Sequence, residues 1–260
     1  MAILSNFAPN RLASYKADVQ RHSAEYNREE DSRYEQPDEV FEERQEWGTP
    51  FLEPGYHKYY YDKAVKQKPT DYVTVGDVFT QDELGYIEQI ASQLEEEIPQ
   101  MGEATHDGDK PWRDKGYRHS KVKWINRSEE TKWLFARLSW LIADANKDFW
   151  DFDILGDFET GIQYTIYDEY GSHYDWHIDV GYGVSAMRKI SATILLSEPE
   201  VDFNGGDLEF RVGRDVMSVP RDLGGNLAVL FPSYMLHRVT PVTAGVRKSL
   251  VFWCTGPPFK

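Results

Sequence analysis

The chain has 260 residues, of which 40% are hydrophobic, and a formal net charge of −15 at pH 7. The hydrophobic fraction is sufficient for a packed core, which excludes an intrinsically disordered protein. The acidic charge repels phosphate backbones, so nucleic-acid binding is disfavoured as a general mode, and a cationic peptide or an amine fits better as a substrate.

The cysteine content and the lack of targeting signals indicate the cellular compartment. Cys254 is the only cysteine, so no intramolecular disulfide can form, which is typical of a reducing compartment. The N-terminal residues lack the basic and apolar regions of a secretory signal, and no apolar run approaches the ~18 residues of a transmembrane helix. We therefore expect a cytoplasmic protein with no membrane partner.

The composition divides the chain near residue 70. Residues 1–70 are predicted to form an N-terminal arm that is partly flexible, because residues 1–46 are polar and rich in charge. An aromatic belt over Trp47–Tyr61 either packs on the domain or forms a subunit contact or a substrate lid. Residues 71–260 are predicted to form the folded domain, with helical support over 71–155 and a β-rich core over 156–260.

Two supporting helices are predicted in the first part of the domain. Thr80 and Glu83 are spaced as a capping box, with Thr80 at the N-cap and Glu83 at N3. The first helix then follows an apolar stripe at helical spacing towards Pro99: Leu84, Ile87, Ile90, Leu94 and Ile98. The second helix is predicted from near Ser128 to before Phe152, with the apolar face Leu134, Leu138, Leu141, Ile142, Ala145 and Phe149.

After residue 155, short apolar segments alternate with glycine-containing turns, which is typical of strands. Many short strands separated by turns indicate a sandwich or a jelly roll. The predicted fold class is therefore α+β and mainly β, with the supporting helices first. The predicted strands are Gly161–Tyr167, Tyr174–Val180, Ile190–Leu196, Asp207–Val212, Leu227–Phe231, Leu236–Thr240 and Lys248–Cys254.

A candidate metal site is formed by His177, Asp179 and His237. On a regular strand, residues two apart point to the same face, so His177 and Asp179 would converge on one point. Two histidines and one carboxylate on one side of a metal leave three octahedral positions open, as in non-haem iron oxygenases. Those positions can hold a bidentate keto acid and dioxygen. The pair alone is a weak signal, since a hydrogen-bonded His and Asp on a strand give the same pattern.

A second His-x-Asp pair, His173 and Asp175, overlaps the first, and strand parity does not separate the two. We favour His177 and Asp179 because positions 176, 178 and 180 are apolar and would hold their strand in place. His173 instead follows Gly171 and Ser172, which are predicted to be the turn that opens the strand. His173 and Asp175 would then lie at the entrance and contact the substrate.

Arg247 and Ser249 form a candidate anion site. Pro241 and Gly245 lie between His237 and Arg247, so the chain can turn back and return Arg247 to the same cavity. Its guanidinium offers a bidentate fork to a carboxylate, and Ser249 on the same face can donate to that carboxylate. The apolar flanks of Arg247 favour an inward-facing side chain over a solvated one.

These residues lie within a longer series of motifs. Because of these motifs, the sequence resembles the prolyl 4-hydroxylase-like branch of the Fe(II)/2-oxoglutarate-dependent dioxygenases, including the PKHD-type hydroxylases. The resemblance covers roughly residues 118–260. The motifs are, in order, Gln163–Tyr167, Tyr174–Asp179, Arg188–Ser191, Gly205–Phe210, Phe231–Ser233, His237–Thr243, Gly245–Arg247 and Trp253.

The resemblance implies a double-stranded β-helix of jelly-roll or cupin-like type, and a reaction that converts 2-oxoglutarate to succinate and CO2 while hydroxylating a C–H bond. It implies Fe(II) held by His177, Asp179 and His237, dioxygen as a substrate, and ascorbate as the reductant. Arg247 matches the residue that binds the distal carboxylate of 2-oxoglutarate. Tyr167 matches a tyrosine that lines the co-substrate pocket, with plain core packing as its alternative.

The leading interpretation is a hydroxylase that acts on a protein residue, of prolyl type, or on a small amino acid or amine. A related halogenase would lack the carboxylate ligand that Asp179 supplies. A non-catalytic, cupin-like metal-binding module would not need Arg247 and Ser249. Neither the oligomeric state nor the choice between a protein and a small-molecule substrate follows from the sequence.

Overall fold

A computed structural model describes residues 70–99, 115–155 and 161–258. The predicted N-terminal arm, except for Thr70, and its aromatic belt lie outside these described residues. Within the described ranges, no helix is long and apolar enough to cross a lipid bilayer.

The first helix, α1 (Gln81–Ser92), begins at the predicted capping box. The Thr80 hydroxyl accepts a hydrogen bond from the Glu83 amide at 3.3 Å, and the Glu83 carboxylate accepts one from the Thr80 amide at 2.8 Å. The predicted continuation to Ile98 is wrong. After Ser92 the chain leaves the helix, and Glu97 exchanges two backbone hydrogen bonds of 2.8 Å with Val122. These bonds to the sheet replace those of a further helical turn.

The second helix, α2 (Lys132–Ala145), begins four residues later than predicted. Ser128 and Thr131 donate their backbone amides to each other's hydroxyl groups, which closes a turn before the helix. A π-helical turn, Asn146–Trp150, follows α2 and ends at Asp151, whose φ is 53°. The buried face of α2 contains Leu134, Phe135, Leu138, Ile142 and Ala145. Phe135 was not predicted, and the predicted Leu141 and Phe149 are only partly buried.

The described residues form thirteen strands, of which seven correspond to predicted strands. The other six have two to five residues, and all six lie at sheet edges or in the small two-stranded sheet, where few residues show an alternating pattern. Two short 3-10 turns occupy Gly183–Met187 and Arg221–Leu223. The strands are β1 Val73–Val75, β2 Arg118–His119, β3 Lys121–Ile125, β4 Ile162–Tyr167, β5 His173–His177, β6 Arg188–Leu195, β7 Phe203–Gly205, β8 Leu208–Val212, β9 Asp215–Ser218, β10 Leu227–Pro232, β11 Leu236–Val239, β12 Val242–Gly245 and β13 Arg247–Thr255.

The strands form a six-stranded sheet in the order β1-β10-β6-β13-β4-β3 and a five-stranded sheet in the order β2-β5-β11-β8-β9. A small sheet pairs β12 with β7, and all pairs of named strands are antiparallel. Strands β1 to β3 come from the segment that was predicted to supply helical support, so this segment also completes the sheets. The mainly β architecture is the expected double-stranded β-helix with supporting helices.

The six-stranded sheet separates two apolar cores, as the alternation along β10 shows. Ala228 and Leu230 pack in the core that includes the buried faces of α1 and α2. Val229 and Phe231 point the other way and pack with residues of the five-stranded sheet, such as Phe210. The helices therefore cover the outer face of the six-stranded sheet, and its inner face is directed towards the five-stranded sheet.

Candidate metal centre and its cavity

Three side chains converge between the two sheets. His177 Nε2 lies 3.7 Å from Asp179 Oδ1, and His237 Nε2 lies 3.6 Å from Asp179 Oδ2. One ligand atom from each residue lies within 4.8 Å of the other two, and each side chain is less than a tenth exposed. We refer to these three residues as the triad.

The strand register accounts for two members of the triad. His237 on β11 is the cross-strand partner of His177, the last residue of β5. Asp179 follows the end of β5, so the predicted strand to Val180 is wrong, and the convergence does not arise from strand parity. The Asp179 amide donates to the Ser233 carbonyl at 2.9 Å, and this bond fixes the bend that turns the carboxylate towards both histidines. Ile178 is 48% exposed and does not provide the apolar support expected of it.

Both histidines are oriented by backbone carbonyls. His177 Nδ1 lies 2.7 Å from the Asp175 carbonyl, and His237 Nδ1 lies 2.9 Å from the Met235 carbonyl. Because a carbonyl only accepts, Nδ1 is the protonated nitrogen in each ring and Nε2 carries the free lone pair. Both lone pairs therefore face the Asp179 carboxylate, which is the donor set that a divalent metal requires.

The charge states of the triad suit a metal. Burial and the neighbouring His237 lower the pKa of His177 to about 3, so its imidazole is neutral at pH 7. Burial alone would raise the pKa of Asp179. His237, His177 and the Ser191 hydroxyl nevertheless hold the pKa of this carboxyl below its ordinary value. The neutral His177 imidazole and the Asp179 carboxylate therefore suit a divalent cation without further deprotonation.

Ser191 on β6 supports the carboxylate of the triad, a role that the sequence did not reveal. Its hydroxyl donates to Asp179 Oδ2 at 2.6 Å, and it is joined to the Ser233 hydroxyl at 3.0 Å. Both serines are buried. Ser191 therefore fixes the orientation of the carboxylate from the opposite sheet.

We expect Ser191→Ala to weaken Fe(II) binding by about 10- to 100-fold, as is usual when a ligand loses its hydrogen-bonded support. Anaerobic Fe(II) titration followed by calorimetry measures the change. Ser172→Ala is the matched control, because Ser172 is equally buried and its hydroxyl accepts a hydrogen bond from the Glu169 amide, outside the triad. Equal iron affinities for the two variants would contradict the role of Ser191.

The overlapping pair lies elsewhere. The two ring nitrogens of His173 lie 2.7 Å from the Gly171 carbonyl and 3.0 Å from the Gly116 carbonyl. The Asp175 carboxylate accepts from the Trp176 amide at 2.8 Å. Neither His173 nor Asp175 lines the cavity that contains the triad, so their predicted contact with the substrate has no support in the structure.

Arg247, at the start of β13, is buried in the same cavity as the triad. Its Nε donates to the Gly206 carbonyl at 3.0 Å, and its Nη1 donates to the Ser249 hydroxyl at 3.2 Å. The guanidinium carbon lies 5.3 Å from the centre of the Tyr167 ring, on the paired strand β4. Gly245, whose φ is 75°, turns the chain into β13 where a Cβ would overlap the Asp202 carbonyl.

Arg247 is a buried cation without an anion. Burial lowers its pKa, yet a guanidinium remains charged in proteins. Among the described residues, no carboxylate lies within ion-pair distance of it. Since an unpaired buried charge is costly, a carboxylate ligand at Arg247 accounts for its position.

The triad and Arg247 line one cavity of about 1190 Å³ between the sheets. Tyr167 and Ser249 also line this cavity, as the sequence predicted. Trp176, which precedes His177, does not line it. The Trp176 ring instead lies between Arg211 and Arg238, at 4.9 and 4.7 Å from their guanidinium carbons. Tyr174, Phe231 and Trp253 do line the cavity.

Comparison with known families finds one superfamily that is similar to the part of the chain that contains the cavity. The model of the 2OG-Fe(II) oxygenase superfamily matches residues 162–255, which span β4 to β13 and contain the triad and Arg247. Residues 162–255 therefore resemble a 2OG-Fe(II) oxygenase domain. The donor set described above fits the metal of this superfamily, and the unpaired Arg247 fits 2-oxoglutarate.

The chain is similar to PKHD-type hydroxylases. It is 41% identical to one from Teredinibacter turnerae over 85 residues, which are 32% of this chain and 36% of that protein. It is also 41% identical to one from Acidovorax ebreus over 86 residues, which are 32% of this chain and 37% of that protein. The chain thus spans little more than a third of the length of the curated relatives that it matches.

Solved structures with the same fold align with more of the chain than residues 162–255. A prolyl hydroxylase from Trichoplax adhaerens, in complex with a hypoxia inducible factor peptide, aligns with a TM-score of 0.54 and 19% identity over 72% of this chain and 84% of its own. A Pseudomonas putida prolyl-4-hydroxylase aligns with a TM-score of 0.53 and 19% identity over 75% and 96%. SnoN, a non-haem alpha-ketoglutarate-dependent epimerase, aligns with a TM-score of 0.53 and 13% identity over 76% and 83%. These likenesses establish the fold alone. The example of SnoN shows that the same fold also occurs in an epimerase.

Proposed function

We propose that the chain is an Fe(II)- and 2-oxoglutarate-dependent dioxygenase that hydroxylates a C–H bond and releases succinate and CO2. The observation that carries this proposal is the presence of the triad and an unpaired, buried Arg247 in one cavity. The names of the PKHD-type relatives support hydroxylation over the other reactions that this fold supports.

In this proposal the triad holds Fe(II), which when bound supplies the oxidising chemistry with dioxygen. His177 and His237 bind through Nε2, and Asp179 binds through its carboxylate, which Ser191 keeps in place. All three ligands come from one side, so the opposite side stays open to substrates.

Arg247 and Ser249 orient 2-oxoglutarate in this proposal. The guanidinium fork pairs with the distal carboxylate, and the Ser249 hydroxyl can donate to the same group. Tyr167, stacked near Arg247, closes the wall behind the co-substrate. Leu208, Phe231 and Val239 line the cavity as well and exclude water from its interior.

The alternatives are less well supported. A halogenase would leave a ligand position vacant, whereas Asp179 occupies it with a buried carboxylate. A metal-binding module without activity gives no reason to bury Arg247 beside the triad. Dioxygen as a substrate and ascorbate as the reductant are part of the proposed reaction. A cytoplasmic location remains a prediction from the cysteine content.

Succinate formation from 2-oxoglutarate tests the proposal. The full chain with Fe(II) and ascorbate, in air and without an added substrate, is expected to form succinate slowly through uncoupled turnover. Omission of Fe(II) is the control, and succinate is measured by mass spectrometry. A chain that binds Fe(II) and 2-oxoglutarate but forms no succinate would contradict the proposal and favour the binding module.

A further inference from the structure

A second arginine, Arg118 on the short strand β2, lines the same cavity. Its Nε donates to the Ser120 hydroxyl at 3.0 Å, and its Nη2 donates to the Gln163 side-chain oxygen at 3.0 Å. Both acceptors are neutral. Within the described ranges, no carboxylate lies within ion-pair distance of Arg118, and no acceptor is bonded to its Nη1.

Arg118 is held rigidly and close to the triad. It belongs to the five-stranded sheet, while Gln163 lies on β4 of the six-stranded sheet, so their hydrogen bond joins the two walls of the cavity. The guanidinium carbon also lies 4.5 Å from the centre of the Tyr174 ring, which stacks on His177 at 3.5 Å. A fork with two fixed donors and one free nitrogen is prepared for an anion before that anion arrives.

The co-substrate does not account for this second cation. Along the β4–β13 ladder, Arg247 pairs with Tyr167 and Val251 pairs with Gln163. These two rungs are four residues apart, which is about 13 Å at ~3.3 Å per residue. A five-carbon chain with bonds of ~1.5 Å spans only about 5 Å, which is shorter than this separation of the backbone rungs and favours separate ligands for Arg247 and Arg118.

The cavity continues from Arg118 towards solvent. Its lining includes the segment 96–99, which is bridged to β3 through Glu97 and Val122 and contains the half-exposed Ile98. The exposed Glu96 on this segment lies 3.5 Å from Lys121, which offsets its charge. Arg118 therefore lines a cavity that contains the triad and also reaches the exposed segment 96–99.

We propose that Arg118 is a specificity residue that binds a carboxylate of the substrate, so that the enzyme acts on a free amino acid or on the carboxylate-bearing end or side chain of a peptide. This rests on the proposed function. It differs from the cationic substrate expected from the net charge, because Glu96, Glu97 and Asp179 are the only carboxylates of the described residues that line the cavity. A carboxylate held at Arg118 would place the neighbouring C–H bonds beside the triad.

Anaerobic calorimetry on the full chain with Fe(II) and 2-oxoglutarate tests the inference, with repeat titrations on the metal-free chain. The probes are free L-amino acids and N-acetylated dipeptides, and each is compared with its C-terminal amide. Aspartate and glutamate are also compared with asparagine and glutamine. We expect at least one free acid to bind and its amide to bind about 10- to 100-fold more weakly, as for the loss of a charge-assisted hydrogen bond. The amino-acid and dipeptide arms distinguish the two sources of carboxylate.

Variants assign the effect to the residue. Arg118→Gln is expected to weaken binding of the acid by the same factor without changing that of the amide. Arg118→Lys keeps the charge and should restore part of the affinity, and it serves in place of the first variant if that one does not fold. Arg214→Gln is the matched control, because Arg214 is exposed in the β8–β9 turn and does not line the cavity.

Three results would overturn the inference: equal binding of acid and amide, no binding of any free acid at millimolar concentration, or a loss of 2-oxoglutarate affinity in Arg118→Gln that matches the loss for the acid. The last result would assign Arg118 to the co-substrate. Succinate formation in air, measured in the same samples, separates the two proposals. Acid binding without succinate contradicts the proposed function alone, and succinate without acid binding contradicts this inference alone.

Discussion

Replacing His177 or Asp179 with alanine is expected to abolish Fe(II)-dependent conversion of 2-oxoglutarate. Each variant loses one of the three groups that converge within 4.8 Å, and the Asp179 variant also removes the negative charge that attracts the cation. Loss of a supporting hydrogen bond alone costs about 10- to 100-fold in metal affinity, so the loss of a ligand should exceed that range. Anaerobic Fe(II) titration and succinate formation measure the two effects separately.

His173→Ala is the matched control for this experiment. It removes an imidazole from the same strand, four residues before His177, but both ring nitrogens of His173 face backbone carbonyls outside the triad. We expect this variant to bind iron with unchanged affinity and to form succinate at the original rate. If His173→Ala lost the metal while His177→Ala kept it, the overlapping pair would be the metal site.

Part of this site could be predicted from the sequence, because the relevant signals are local. The His177-x-Asp179 spacing, a histidine on a later strand and an arginine between apolar residues lie within short segments. Those segments are brought together by the pairing of β5 with β11 and of β13 with β4. The capping box of α1 is similarly contained in four residues and was predicted correctly.

The remaining features depend on contacts between distant segments. Arg118 is bonded to Gln163 and stacked on Tyr174 through β2, a strand of two residues that carries no alternating pattern. The end of α1 is determined by backbone bonds between Glu97 and Val122, which compete with a stripe of apolar residues at helical spacing. Asp179 is directed towards the two histidines by a bend in which its amide is bonded to the Ser233 carbonyl. Regular strand geometry predicts the same convergence, but from the alternation of side chains along a strand.

Arg247→Ala is expected to weaken 2-oxoglutarate binding far more than Fe(II) binding. The guanidinium is buried in the cavity, so its bond to a carboxylate is desolvated on both sides. Removing one partner of such a pair costs on the order of 2–5 kcal/mol, or about 30- to 5000-fold in affinity. Fe(II) affinity should be nearly unchanged, because Arg247 bonds to Gly206 and Ser249 and to no member of the triad. Anaerobic calorimetry with Fe(II) and then 2-oxoglutarate measures both constants.

Two further variants distinguish a charge requirement from a packing defect at this position. Arg247→Lys keeps a cation in the cavity but loses the planar fork, so its 2-oxoglutarate affinity should fall between those of the original chain and the alanine variant. Ser249→Ala removes one neutral hydroxyl bonded to Arg247, and we expect a loss of about 1 kcal/mol, or roughly fivefold in affinity. An unchanged 2-oxoglutarate affinity in Arg247→Ala would show that another cation of the cavity lining, Arg118 or Arg188, holds the distal carboxylate.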